Sequence, residues 1–381
     1  MYTSSVIPGI SRSPALLLAF AGLTFPQAWA ATILPLGDLP GGLFYSMATR
    51  ISDDGGTVVG DSDAGSYHAS FRWTFDTGTV PLTGVPQSRA VGVSGDGTVA
   101  AGNNDQTVFR WTAGGGTTEP GDIPMFYVAQ DLSADGTTIV GGANSPRAFR
   151  WTATEGTTVL GTLPGHTSSR ANGVSADGSV AVGFSANGTT SEAFRWTASG
   201  GMVGLGHLPG LSQSYAAGVS RDGSVVVGDG SSAVSGSYEA FRWTEADGMQ
   251  GLGDIPGGIG HTLATAVSDD GSVVVGTANN FLDAFVWTPD LNMVTLCSLL
   301  ADLGVDTLEW SALSSVTDVS ANGRYLAGVG TRFGNTEAFR VDLGENWQAQ
   351  FQSAVPEPST YAAGLVALGG LAARWRRARR A

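Results

Sequence analysis

The side chains with chemistry to offer are few and scattered. Four histidines, His68, His166, His207 and His261, are spread through 381 residues with no His-x-x-His pair and no glutamate at zinc-ligand spacing. One shared metal would require all four to converge on one point of the fold. There is no Gly-x-Ser-x-Gly elbow and no phosphate loop, and no pair of carboxylates stands apart from a recurring set of turn aspartates. The stretch "GDSDAG" (Gly60–Gly65) places Asp61 and Asp63 two residues apart, far short of a calcium-loop ligand set. From these residues the expectation is no catalytic residue, no cofactor and no metal site.

What positions the scattered groups is a repeat that recurs seven times. Its first half is a Ser-x-Asp-Gly turn between runs of β-branched and small residues, from "ISDDGGTVVG" at Ile51 to "VSANGRYLAG" at Val319, with serine-to-serine spacings of 39 to 52 residues. Its second half is "FRWT" at Phe71, Phe109, Phe149, Phe194 and Phe241, then "FVWT" at Phe285 and "FRVD" at Phe339. Each half reads as a β-hairpin, so one copy supplies four strands, the content of one propeller blade. The last copy lacks a partner for "AFRVDL", while "TILPLGDLPGG" near the N-terminus matches the fourth-strand ending "TTVLGTLPGH" of the third copy. The sequence therefore predicts an all-β, seven-bladed β-propeller whose ring is closed by the N-terminal strand. A β-solenoid, the alternative fold, would have no use for that phase shift.

In such a ring both hairpin turns of each blade lie at one end. The loops after "VVG" and the "LPG" loops lie at the other, vary most in length and carry the unrepeated aromatic and imidazole groups. Candidate binding residues on that loop face are Tyr45, Tyr67, His68, Tyr127, His166, Tyr215, Tyr238 and His261, with Phe126 and Phe281 nearby. The repeated Phe and Trp of "FRWT" share one side of a strand and read as core. The arginine between them would be buried and would need a partner. Copy six has Val286 in place of the arginine and copy seven has Asn322 in place of the turn aspartate. Pairing of the arginine of one copy with the turn aspartate of the next would place both losses on one interface, and would set Arg340 against Asp54 across the closure.

The repeats resemble the HAF repeats of bacterial extracellular proteins. The likeness rests on "AF.W", "LG.LPG" and "S.DG...VG" between about Leu34 and Leu343, with "EAF", "RAF" and "HASF" standing where the family has His-Ala-Phe. It implies export and brings no activity with it. The turn also resembles the Asp-box of sialidase-like propellers, but most copies lack the aromatic of that motif.

The chain ends are of a different kind. Arg12, the apolar run "PALLLAFAGLTF" and "AWA" at Ala28 to Ala30 predict a signal peptide over residues 1–30, cleaved before Ala31. Glycine is abundant at 56 residues, lysine is absent, and the net charge is −14, which disfavours nucleic acid and anionic membrane surfaces as partners. Five of the nineteen arginines nevertheless crowd the last eight residues: Arg374, Arg376, Arg377, Arg379 and Arg380. They follow an apolar stretch, Tyr361 to Ala373, about 20 Å long as a helix and hence a marginal membrane span. With "VPEPST" ahead of it (Val355, Pro356, Glu357, Pro358, Ser359 and Thr360), the tail resembles a PEP-CTERM sorting signal. That resemblance implies processing by an exosortase, a transient inner-membrane anchor with its basic cluster in the cytoplasm, and release to a surface or matrix rich in exopolysaccharide.

The expected organisation is thus a signal peptide (1–30), a repeat propeller (31–345), a linker (346–354) and a sorting signal with a short transmembrane helix (355–381). The function expected is that of a non-enzymatic binding or structural surface protein, with exopolysaccharide or another surface protein as candidate partner. The competing class is a secreted carbohydrate-active enzyme, glycosidase or lyase, which carboxylates and a histidine converging at the axial mouth would favour.

Overall fold

A blade begins with local chemistry, well seen in the fourth (Ser168–Gly204). The Ser175 hydroxyl donates to Asp177 Oδ1 (2.8 Å) and accepts from the Val180 N–H (2.9 Å), while Asp177 Oδ1 also accepts from the Ser179 N–H (2.9 Å). Gly178 takes φ 71°, a region that disfavours any side chain. The turn is thereby closed by local hydrogen bonds alone, and the alternating runs on either side form the first two strands.

In a computed structural model of the chain, seven four-stranded antiparallel sheets follow one another: Ser46–Pro81, Arg89–Thr118, Tyr127–Gly161, Ser168–Gly204, Gln213–Gly251, Leu263–Thr295 and Trp310–Asp342. The seventh has three strands of its own and takes Thr32–Pro35 as its fourth, with Leu34 opposite Arg340. The first strands of successive sheets touch all the way round, including seventh to first, so they line the axis of a closed ring. The described residues are 30–352 except 83–85, 106, 125, 144–146 and 233–235. The expected leader up to residue 29, including Ala28, and the whole sorting signal lie outside them. Ala30 and Ala31 stand just ahead of the closing strand. Among the described residues no helix is long and apolar enough to cross a membrane.

The seven phenylalanines of the second half-repeat, Phe71, Phe109, Phe149, Phe194, Phe241, Phe285 and Phe339, are fully buried between blades. Burial of a phenylalanine side chain is worth about 1.5–3 kcal/mol. The arginines between the aromatics do reach from each blade to the next, but not to its aspartate. Arg72, Arg110, Arg150, Arg195 and Arg242 donate to the carbonyls of Gly97, Gly136, Gly178, Gly223 and Gly271, the glycines of the next Asp-Gly turns. Arg340 donates to Gly55 across the closure (2.7 Å) and lies between the rings of Phe75 and Tyr325. The expected Arg–Asp pairs are corrected accordingly. The carboxylate is consumed by its own turn, since a local hydrogen bond forms at less entropic cost than a long-range one, and Asn322 fills the same role for Ser320 and Arg324.

The blade that lost its arginine is compensated. Gly323, the glycine that would have met residue 286, accepts instead from the Trp347 indole N–H (3.2 Å). Helix α1 (Leu296–Asp302), capped by the Thr295 hydroxyl, packs Leu296, Leu299 and Leu300 in the same cluster as Val286. Trp347, in the stretch expected to be a linker, is therefore buried, and a short helix α2 (Ala349–Gln352) follows it.

Candidate functional site

Every first strand carries a β-bulge at the same place, between Ala48 and Arg50 in the first blade and between Val316 and Asp318 in the seventh. The seven extra residues, Thr49, Val91, Gln130, Asn172, Ala217, Thr265 and Thr317, all line one axial cavity of about 600 Å³. A bulge turns one side chain out of the pleat, and here the ring turns seven of them toward the axis. Three also tie neighbouring blades together: Thr49, Asn172 and Thr265 donate to the carbonyls of Ala90, Ala216 and Val316. Beside the bulge the "VVG" glycine lies so close to the first strand that a Cβ on Gly60 would strike the Met47 carbonyl.

The residue after each bulge is glycine or alanine in four blades and charged in three. Arg50, Asp131 and Asp318 occupy it, and Arg50 Nε lies 3.2 Å from Asp131 Oδ1. The second oxygen of Asp131 accepts from the Val174 N–H, and Asp318 accepts from the Ile51 N–H (2.9 Å), so each carboxylate also bridges to the next blade. Burial pushes the Asp131 carboxyl up against the pull of Arg50, and pushes Asp318, which has no close cation of its own, up to about 7. At the turn-face end the channel is crossed by Arg221, which pairs with Asp269 (2.9 Å) and with Asp53 on a non-adjacent blade (3.1 Å). The channel therefore opens at the loop face.

Its mouth continues into a cleft of about 530 Å³ between the first and second blades. Tyr45, Tyr67 and His68 of the expected binding residues line it, with Asp61, Arg89 and the carboxamides of Asn103 and Asn104. Arg89, Asn103 and Asn104 border the channel as well, which makes the two one site. Asp61 is the buried centre: its Oδ1 lies 3.3 Å from Arg89 Nε and its Oδ2 lies 3.9 Å from His68 Nδ1. The arginine contact is an ion pair without hydrogen-bond alignment, so Oδ1 has no donor. Burial raises the Asp61 carboxyl, while Arg89 and then His68 draw it back. Tyr45 stands edge-on to His68 with ring centroids 5.2 Å apart, and burial, then the Asp61 charge, hold its phenol protonated to higher pH.

The remaining expected residues do not join this site. Tyr127 packs on Phe149 (5.2 Å) and Tyr215 on Phe184 (5.1 Å), both half-buried. His166 buries Nδ1 without a partner, and Tyr238 and His261 form a separate pair with centroids 5.7 Å apart. Sequence reasoning missed Arg50, Arg89, Asp131 and Asp318, and set Asp61 aside as loop. A signal was present: two residues before each repeat serine the chain reads Arg, Gly, Asp, Gly, Gly, Ala, Asp, three charges in an otherwise small-residue column.

No known protein family and no curated protein matches the chain. Among solved structures it is similar in fold to an oligogalacturonate lyase in complex with manganese (TM-score 0.53, 14% identity, covering 85% of this chain and 96% of that one). It is similar also to an oligogalacturonate lyase from Vibrio parahaemolyticus (TM-score 0.54, 11% identity, covering 83% and 94%). The expectation of a non-enzymatic propeller is corrected by these likenesses, because the architecture aligned over most of this chain is one that solved enzymes use. The sequence led the other way because the titratable groups of a propeller come from different blades and leave no local motif. Manganese is named with the first of these enzymes. Among the described residues here no three His, Cys, Asp or Glu side chains converge to hold a metal, so the residues do not fit that ion and no step is derived through it.

Proposed function

We propose that the chain is an exported carbohydrate-active propeller enzyme that cleaves a uronate-containing oligosaccharide by elimination at the loop-face cleft. The observation that carries this reading is the convergence of Tyr45, Asp61, His68 and Arg89 in a cleft that continues into the axial channel, where Arg50 lines the wall. The solved lyases of like fold lend it support at the level of architecture.

The chemistry follows from the groups. Arg89, 60% exposed at the cleft and held from behind by Asp61, offers a positive charge to a sugar carboxylate and to the enolate that forms from it. His68 takes the proton from C5, the electron pair becomes the C4–C5 double bond, and the bond from C4 to the glycosidic oxygen breaks. Tyr45, protonated and donating to Met47 Sδ (2.7 Å) before substrate arrives, swings its hydroxyl from that weak acceptor and gives its proton to that oxygen. The proton-taking ring and the proton-giving ring flank one opening, as two adjacent sugar carbons require. Asn103 and Asn104 shape the wall rather than bind: the Asn103 carboxamide is engaged by the Ala129 N–H and C=O, and Asn104 Oδ1 accepts from Thr107.

Purified protein offered short oligogalacturonates is expected to release a product with the ultraviolet absorbance of an unsaturated uronate, with His68→Ala lowering kcat by roughly 100-fold or more. Turnover without that absorbance would mean hydrolysis, and turnover unchanged in His68→Ala would remove the histidine from the mechanism. We propose also, from the terminal residues, that an exosortase sorts the protein through Val355 to Thr360 to an exopolysaccharide-bearing surface.

A further inference from the structure

Beyond the cleft, on the far side of Tyr45, a smaller cavity of about 270 Å³ lies on the seam between the seventh and first blades. Tyr45 lines both, so one ring forms the wall between them. Its other walls include Phe44 and Phe333, which expose 71% and 69% of their surface. Phe333 and Gly334 are the two central residues of the tight turn joining Tyr325–Arg332 to Asn335–Asp342, with φ 49° and 83° as a two-residue hairpin turn requires, so the ring stands at the hairpin tip. An exposed phenyl ring held in this way is a platform for an apolar face.

The charge of this seam differs from that of the cleft. Its one cation, Arg332, is already engaged by Glu309 (2.6 Å) and Glu337 (3.2 Å) and lies over the Phe333 ring, and Asp38 adds a further carboxylate. A second uronate here would face an excess of negative charge, whereas Asn335 and Thr336 suit hydroxyl groups.

We infer that the seam is a sugar subsite for an uncharged unit, adjoining the uronate held at Arg89, and that the preferred substrate alternates acidic and neutral sugars. The inference rests on the carbohydrate reading above and adds to it the identity of the neighbouring unit. Phe333 and Phe44 stack the C–H face of the neutral sugar, and the carboxylates around Arg332 exclude a charged one.

The test compares the full chain with Phe333→Asn, which tolerates the same backbone conformation and removes the ring, and with Phe44→Ala. Each is given a homo-oligouronate and an oligosaccharide of equal length with alternating uronate and neutral hexose. Wild-type protein is expected to prefer the mixed chain, and each variant to lose about fivefold in kcat/KM on it. Equal kcat/KM for variants and wild type on the mixed chain, or preference for the homo-oligouronate, overturns the subsite. Calorimetric binding of the same oligosaccharides decides the matter separately from cleavage. Mixed-chain binding weakened by Phe333→Asn upholds the subsite even if no bond breaks, in which case only the catalytic reading fails; absent or equal binding overturns it.

Discussion

Asp318 is a carboxylate placed where its charge is least welcome, buried inside the ring without a cation of its own, with Arg50 and Asp131 already paired beside it. Its pKa near 7 in the folded chain stands above the ordinary value near 4 that it recovers on unfolding. Between those values the folded state holds a proton that the unfolded state has released, so stability falls as pH rises from about 4 to about 7. Unfolding midpoints measured across that range should decline for the native chain, and Asp318→Asn, which keeps an acceptor for the Ile51 N–H but does not titrate, should flatten part of the decline. An equal slope in the two proteins would show that Asp318 ionises normally. Asp229, also pushed to about 7 by burial, adds its own share, and Asp61, Asp131 and Asp269, raised by burial as well, contribute to the slope that remains.

At the scale of the element, the blade interface is held by a side chain on a backbone carbonyl. Replacing Arg340 by Met keeps much of the stem and removes the donor to Gly55, leaving a buried carbonyl without its partner, which costs about 1–3 kcal/mol in denaturant unfolding. Trp347→Phe should act similarly at Gly323, because the indole N–H there does the work of the missing arginine. By contrast Asp177→Asn should cost less than about 1 kcal/mol, since Asn322 already closes the equivalent turn with the same two hydrogen bonds. A large loss at Asp177 with none at Arg340 would restore the carboxylate as the inter-blade partner. The direction of contact, from each blade to the next, was legible in the positions of Val286 and Asn322. The acceptor was not, because aspartate and glycine are neighbours in the turn and only atomic placement tells which of them faces the guanidinium.

On the scale of the whole molecule, the ring separates two ends. The cleft opens on the loop face, while the last described residues pack against the turn at Gly323 on the opposite face. If the proposed sorting operates, intact-mass analysis of surface and medium fractions from the native host should find a species beginning near Ala31 and ending near Pro358, lost in a strain without exosortase. A full-length species unchanged in that strain would make the tail a plain anchor.

The repeat unit, its seven copies, their closure by the N-terminal strand and the buried phenylalanine ring were determined by the sequence alone, because each follows from local turn chemistry and a two-residue periodicity repeated along the chain. Which unrepeated residues meet was decided only by the tertiary structure. Tyr45 and His68 come from one blade and Arg89 from the next, while Arg50, Asp131 and Asp318 come from three blades and up to 268 positions apart. A closed ring makes neighbours of its first and last blades and turns every bulge toward a common axis, and neither relation exists until the ring has closed.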